Sequence, residues 1–326
     1  MEENKGKVCV TGGTGYIASW LIMRLLENGY AVNTTVRSNP ENKKDVNFLT
    51  SLPGATQNLQ IFKADLGNPE SFDSAIQGCI GVFHVAATID LEGKEIEEIV
   101  TKTSINATLG ILRACQNSKT VKRVVYTSSV SAVASSGNKD DQVVDESFWS
   151  NIDFLRARNR LRDSYAISKT LTEKAALEFA EQNGIDVVTI LPSLVVGPFI
   201  CPKLAGSVHV ALAMAFGNKD LNWYPLHAVH VEDLARACLF LFEHSNPKGR
   251  YICSSEFVTI ERMYEFLSNN YPEFEVPTID SLREFKGREK YDLSSKKLLD
   301  SGFRFKYGFD EMFDEAIQCC KEKGYL

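Results

Sequence analysis

The sequence predicts an α/β fold, a doubly wound parallel sheet with a smaller mixed α/β region on the C-terminal side. Three observations predict it. Short apolar runs alternate with longer helical patterns from residue 7 to about residue 194, as in parallel strands joined by crossover helices. A glycine-rich turn, TGGTGYIA, joins the first run to the first helical pattern. After Pro192 the alternation loosens into a different architecture.

Taken in order, KVCVTG is the first strand, and residues 19–28 follow with apolar residues at helical spacing. AVNTTV and LQIFKA are the second and third strands. Asn68-Pro69-Glu70 then opens a helix, with Asn68 as N-cap and Pro69 at the first helical position, where its missing N–H costs nothing. GVFHVA is the fourth strand, residues 103–117 a helix, and RVVYTSS the fifth strand. Residues 164–182 read as the longest helix, closed by Gly184 as a C-cap, before the sixth strand, DVVTILPS. Beyond it come LVVGPFICPKLAGS, a helix-like stretch near 208–216, a short segment over 227–241 and a mixed part from Tyr251 onward. The expected division is residues 1–195 for the sheet domain, with 227–243 returning to it, and 196–226 and 244–326 for the smaller region.

Composition narrows the function classes. The 326 residues are 44% hydrophobic and 24% charged, close to globular averages, which excludes a wholly disordered or fibrous chain. The 36 basic and 42 acidic residues sum to −6, so a protein devoted to covering nucleic-acid phosphates is not expected. Eight scattered cysteines without CxxC or a His/Cys cluster read as reduced core residues and leave no metal site. The polar start MEENKGK, the lack of an 18-residue apolar run and the closing KEKGYL predict no signal peptide, membrane span or lipid anchor, and hence a cytosolic protein. The oligomeric state, monomer or dimer, is left open.

Gly12, Gly15 and Ala18 stand at GxxGxxA spacing between the first strand and a helix. Gly12 permits the sharp turn, Gly15 lets a pyrophosphate approach the backbone and helix N-terminus, and Ala18 allows close helix–strand packing. That context predicts a Rossmann-type dinucleotide site, in which the sheet domain binds NADP(H) and the smaller region binds substrate. An NAD-preferring site places Asp or Glu after the second strand, but here Thr34, Thr35, Val36, Arg37 and Ser38 occupy that stretch. Arg37 offers a guanidinium fork suited to a 2′-phosphate, so NADPH/NADP+ is expected over NADH. Lys43 and Lys44 add point charge there or form a solvated pair. Asp65, closing the third strand, either accepts from the adenine amino group or caps the helix after it. Small alanines in FHVAA let a cofactor lie against the fourth strand, and His84 reads as a core histidine.

Tyr165 and Lys169 stand four apart in YAISK, so one helix face carries both. An adjacent ammonium favours phenolate, and the lysine is expected to bring the tyrosine toward a useful acid–base range. Ser128 and Ser129 end the fifth strand at the ligand-binding edge of such sheets, where a serine can donate to a carbonyl oxygen or merely form a turn.

Together these parts resemble the plant dihydroflavonol-reductase-like branch of the extended short-chain dehydrogenases. The resemblance rests on TGGTGYIASWL, TVRSNP, ADLGNPESF, GVFHVA, VVYTSS, Asp145-Glu146-Ser147 before Trp149, YAISKTLTEKAA, ILPSLVVGPF and GRYICSS, and extends to the closing FKYGFDEMF and CCKEKGYL. It implies a catalytic set of Ser129, Tyr165 and Lys169, with Arg37 and Lys44 on the 2′-phosphate. Other implied cofactor contacts are Gly12, Thr14, Gly15, Tyr16 and Ile17 on the turn, and Asp65 and Leu66 after the third strand. Val85, Ala86 and Ala87 follow the fourth strand, and Thr127 and Pro192 end the fifth and sixth. The implied chemistry is hydride transfer to a substrate carbonyl while Tyr165 protonates the oxygen, Ser129 bonds it and Lys169 bonds the nicotinamide ribose.

The substrate implied is a bulky polycyclic plant specialised metabolite with a ring ketone, isoflavonoid- or flavonoid-like. Dihydroflavonol reductases carry a substrate-contacting Asn five residues after the active serine, and Ala134 stands there; their second contact, a glutamine, corresponds to His227. Both changes point away from heavily hydroxylated substrates. Cinnamoyl-CoA-type reductases carry NWYCYGK where this chain has DSYAISK. The alternative is a dehydrogenase of the same family oxidising an alcohol or hemiacetal of an alkaloid-type metabolite; a non-catalytic nucleotide sensor comes third, disfavoured by the Tyr/Lys pair. Arg156, Arg158, Arg160 and Arg162, and the charged run over 92–98, read as solvated surface, and Cys319 and Cys320 as a terminal-helix pair with one facing inward.

Overall fold

The computed structural model describes residues 5–37, 46–88, 96–135, 143–158, 163–217, 225–276, 278 and 291–326. In chain order its strands are β1 (Lys7–Val10), β2 (Ala31–Val36), β3 (Leu59–Lys63), β4 (Gly81–His84), β5 (Arg123–Thr127) and β6 (Val143–Val144). They continue as β7 (Val187–Pro192), β8 (Leu194–Val196), β9 (Leu226–His230), β10 (Gly249–Cys253), β11 (Glu256–Val258) and β12 (Asp292–Leu293). Seven of them form one parallel sheet in the order β10-β7-β5-β4-β1-β2-β3. Winding runs outward in both directions from β1 and β4, so their carboxyl ends border the crevice where such sheets bind ligands.

Alternation along the strands divides two cores. Val8 and Val10 of β1 join one cluster and Cys9 joins the other, as Phe83 and Val82 divide on β4. Burial on both faces is why these strands read as nearly continuous apolar runs. The helices Tyr16–Glu27 and Val231–Glu243 cover the first face. On the second, Ala107 and Ile111 of helix Glu97–Ser118 meet Ala176 and Ala180 of helix Asp163–Asn183. Leu21 and Leu25 are fully buried, worth roughly 1.5–3 kcal/mol each by transfer alone.

All six expected strands form, but several boundaries differ. The helix before β5 begins at Glu97 and, at 22 residues, exceeds the 21-residue helix Asp163–Asn183. Gly184, at φ +65°, follows the latter as expected. Asn68 makes no side-chain cap, and Pro69–Phe72 is a 3-10 turn leading into Asp73–Ile76.

The smaller region departs from the expected division at two places. β10, placed outside the sheet domain by the sequence pattern, pairs with β7 and completes the main sheet. Residues 227–230, expected to return to that domain, instead lie in β9 of a second sheet, ordered β11-β9-β8, although Val229 of that strand joins the following helix in the first core. The smaller core gathers Val208 and Met263 with Phe309, Phe313 and both Cys319 and Cys320 of the terminal helix Phe309–Glu322. Both of those thiols are buried, because neighbouring elements cover two sides of that helix. β6 and β12 pair separately in parallel.

Candidate active site

The glycine turn leaves β1 and is braced by β2. Gly12 adopts φ +77°, and a Cβ on it would lie 3.1 Å from the Ala86 Cβ. Gly12 N–H donates to Thr35 Oγ1 at 3.1 Å and Gly13 N–H to the Thr35 carbonyl at 2.8 Å. A Cβ on Gly13 would stand 2.2 Å from Thr34 Oγ1, so Gly13 is a glycine of necessity that the GxxGxxA spacing passes over. Gly15 starts the first helix without a side-chain cap, and a Cβ there would meet only the Gly12 carbonyl, at 3.2 Å. The first-turn N–H groups, including those of Tyr16 and Ile17, therefore begin the helix beside the β1–β4 crevice. The Tyr16 ring turns away: its O–H donates to the Gly197 carbonyl at 3.2 Å and its edge meets Phe199.

Thr11 ties the turn to β4. Its Oγ1 accepts from the Val85 and Ala86 N–H groups at 3.1 and 3.0 Å, so its proton goes to His84 Nδ1 at 3.0 Å. His84 is then the Nε2–H tautomer and donates to Thr108 Oγ1 at 3.1 Å. Burial, with Lys169 adding to it, depresses this imidazole to about 3. His84 is thus the core histidine the sequence suggests, held by two partners the pattern does not show.

Arg37 stands exposed directly after β2, with no partner among the described residues. Lys43 and Lys44 lie outside the described residues, as do Arg160 and Arg162. Asp65 does not cap the helix after it: its Oδ1 accepts from the Gly67 N–H at 2.7 Å, closing a turn, while its own N–H donates to Ser71 Oγ. Leu66 is buried beside it.

At the carboxyl end of β5 the two serines diverge. Ser128 Oγ donates to Glu173 Oε2 at 2.7 Å, inside the protein. Ser129 Oγ accepts from the Ser131 N–H at 3.1 Å and stands near enough to the Tyr165 hydroxyl to favour its phenolate. One turn further along the helix, the Lys169 ammonium is buried and donates to the Thr127 carbonyl at 3.0 Å. Burial lowers Lys169 to about 8 against the opposing pull of Glu173. Burial raises Tyr165, and nearby Ser129 opposes that rise. The expected lowering of the tyrosine by the lysine is not what the structure shows; Lys169 points its ammonium to Thr127, and Ser129 favours the phenolate instead.

Leu66, Ala86, Ala87, Tyr165 and Lys169 share a small cavity with free space of about 20 Å³, room for about one water. Thr172 Oγ1 borders it, buried without a partner. Thr127 Oγ1, and Ser193 Oγ just after Pro192, are likewise buried and unpartnered at the carboxyl ends of β5 and β7. The turn that backbone approach requires, the helix start and these orphaned hydroxyls lie along one sheet edge, and they fit a dinucleotide.

Comparison with known proteins decides the family. The description "NAD dependent epimerase/dehydratase family" matches residues 8–253. The chain belongs to that family. Vestitone reductase of Medicago sativa is 57% identical over 100% of both chains. Noscapine synthase SDR1 of Papaver somniferum is 52% identical over 99% of this chain and 95% of its own. The crystal structure of vestitone reductase from alfalfa matches with a TM-score of 0.89 at 54% identity, covering 99% of this chain and 100% of that one.

In this epimerase/dehydratase-family chain the remaining expected residues take separate places. Ala134 follows the 3-10 turn Val130–Ala132 next to Ser129 and is partly buried. His227 sits on strand β9, not on a loop, between Phe257 and Tyr291, and its Nε2 bonds the Tyr291 carbonyl at 2.9 Å. Burial lowers its pKa. None of these contacts is to Tyr165 or Ser129. Arg156 pairs with Glu97 at 3.3 Å and Arg158 with Asp163, in keeping with a surface role. The sequence reading missed Glu173 and its partner Arg250; the signal was the repeat Tyr165, Lys169, Glu173 at steps of four on one helix face.

Proposed function

We propose that this chain is an NADPH-dependent reductase that delivers hydride to a ring ketone of a bulky isoflavonoid- or flavonoid-like metabolite. The observation that carries it is the placement of Tyr165 near Ser129, one helical turn from the buried Lys169 ammonium, at the carboxyl edge of the main sheet. Likeness to vestitone reductase over the whole of both chains supports the substrate class.

The bound cofactor supplies the hydride. Gly12 and Gly15 admit its pyrophosphate to the backbone at the helix start, and Arg37, exposed directly after β2, takes the 2′-phosphate. Lys44 adds charge to that phosphate, Lys169 holds the nicotinamide ribose, and Pro192 with Val85 and Ala87 walls the pocket. Ser129 bonds the substrate oxygen, and Tyr165 gives it a proton as negative charge develops there. Burial favours the protonated tyrosine that this step consumes. The same groups serve alcohol oxidation in reverse, with Tyr165 as base. Among the described residues no helix is long and apolar enough to cross a membrane.

The test is a panel of isoflavanone, flavanone, dihydroflavonol and alkaloid ketones and alcohols, assayed with NADPH and NADH in both directions. Turnover of isoflavanone or flavanone ketones with NADPH is expected. Cofactor binding with no turnover of any carbonyl or alcohol overturns the reductase reading in favour of a sensor.

A further inference from the structure

Glu173 lies fully buried on the face that carries Tyr165 and Lys169. Its Oε2 accepts from Ser128 Oγ at 2.7 Å, and its Oε1 from Thr189 Oγ1 at 2.6 Å. Arg250, on β10, grips both oxygens, with Nε at 3.0 Å and Nη2 at 3.2 Å. Arg250 in turn donates to the Glu146 and Phe148 carbonyls and lies 3.5 Å over the Trp149 ring. One carboxylate thus joins the Tyr165 helix to β7, β10 and the serine turn.

A buried ion pair is weak evidence for stability, since packed apolar residues of similar volume often do as well or better. The placement of this one points to a second use. Lys169 is faced by Tyr165 and Glu173 on its own helix, by His84 from β4, by the Tyr126 ring at 5.5 Å from β5, and by Arg250 behind Glu173. His84 and Tyr126 are held neutral by burial. Glu173 is therefore the anion facing this ammonium among the described residues, and it opposes the burial that drains the lysine's charge.

We infer that Glu173 is a positioning residue of the active site: through Ser128 it fixes the turn that presents Ser129, and it counterbalances the Lys169 ammonium. The inference rests on the reductase reading of Tyr165 and Lys169. Losing Glu173 frees Ser128 from its buried acceptor and removes the carboxylate that opposes the draining of charge from Lys169.

The test compares wild type with Glu173→Gln and with Glu173→Gln/Arg250→Met, which replaces the ion pair by neutral groups of similar size. The Lys169 side chain is titrated by isotope-edited NMR without substrate, with Lys169→Arg assigning the signal; the pH profile of kcat and the pH dependence of NADPH binding are measured alongside. In the single variant the lysine titration and the alkaline limb of kcat are expected to move to lower pH by about one unit, and in the double variant, which also removes the Arg250 charge, in the same direction by less. The single variant loses about tenfold or more in kcat, and the double variant regains thermal stability without regaining the pH profile. An unmoved lysine titration overturns the inference whatever the activity, and so does failure of both variants to fold, which assigns Glu173 a structural role alone. Full activity in Tyr165→Phe, by contrast, overturns the reductase reading and leaves the NMR result to stand by itself.

Discussion

Ser129 Oγ accepts from the Ser131 N–H at 3.1 Å and stands near the Tyr165 hydroxyl, whose phenolate it favours. In the proposed reaction the group that bonds the substrate oxygen therefore stands beside the acid that protonates it. Tyr165→Phe keeps the ring and removes the proton. It is expected to lower kcat by about 10²–10⁴-fold while leaving the NADPH dissociation constant within about twofold. Ser129→Ala should lower kcat through the lost oxygen contact. Substantial turnover by the Phe variant would place the acid elsewhere.

The proposed function gives cofactor choice to Arg37. Arg37→Ala is expected to raise the NADPH KM by about tenfold or more, the worth of one charge-assisted pair, and to leave NADH nearly unaffected. Equal losses with the two cofactors would sink the assignment.

Ala134 lies next to the active serine turn and brings no hydrogen-bonding group. Dihydroquercetin-type ketones are expected to be reduced less efficiently than isoflavanone ketones, and Ala134→Asn should narrow that gap, measured as a ratio of kcat/KM values. The His227 ring is committed to Tyr291, so His227→Ala should disturb β9 and β11 packing and lower Tm as well as activity. Efficient dihydroflavonol reduction by the unaltered chain would show the Ala134 argument to be wrong.

Two buried histidines set the acid limit of stability. His84 is depressed to about 3 and His230 to about 4, each by burial. Near pH 6.5 the unfolded chain begins to protonate both while the folded chain does not, so stability is lost as pH falls from about 6.5 toward 4. Each contributes about 1.4 kcal/mol per pH unit within that window. Glu315 lies 3.4 Å from His230 Nε2, but a neutral imidazole forms no ion pair with it. Urea midpoints from pH 7 to 4.5 should fall, and His84→Gln should fall less steeply; a flat wild-type curve would contradict the assignment.

The six strands, the turn at Gly12 and Gly15, and the pairing of Tyr165 with Lys169 were all legible in the sequence. Each is a local property. Burial on both faces makes an apolar run, a positive φ demands glycine, and four residues bring a helix back to the same face. The family resemblance then attached the role to the second serine, which local chemistry had left open.

Only the tertiary structure decided what depends on distant partners. Ser128 and Ser129 are indistinguishable by type; Glu173, 45 residues beyond Ser128, draws one inward and leaves the other to Tyr165. Gly13 is obligatory because Thr34 of the next strand occupies its Cβ position. β10 joins the main sheet because its register matches β7, which no hydropathy pattern encodes. Arg250 reaches Glu173 across 77 residues, and His227 is spent on Tyr291 across 64. Periodicity states which face a side chain occupies; what it bonds there is set by the chain that folding brings against that face.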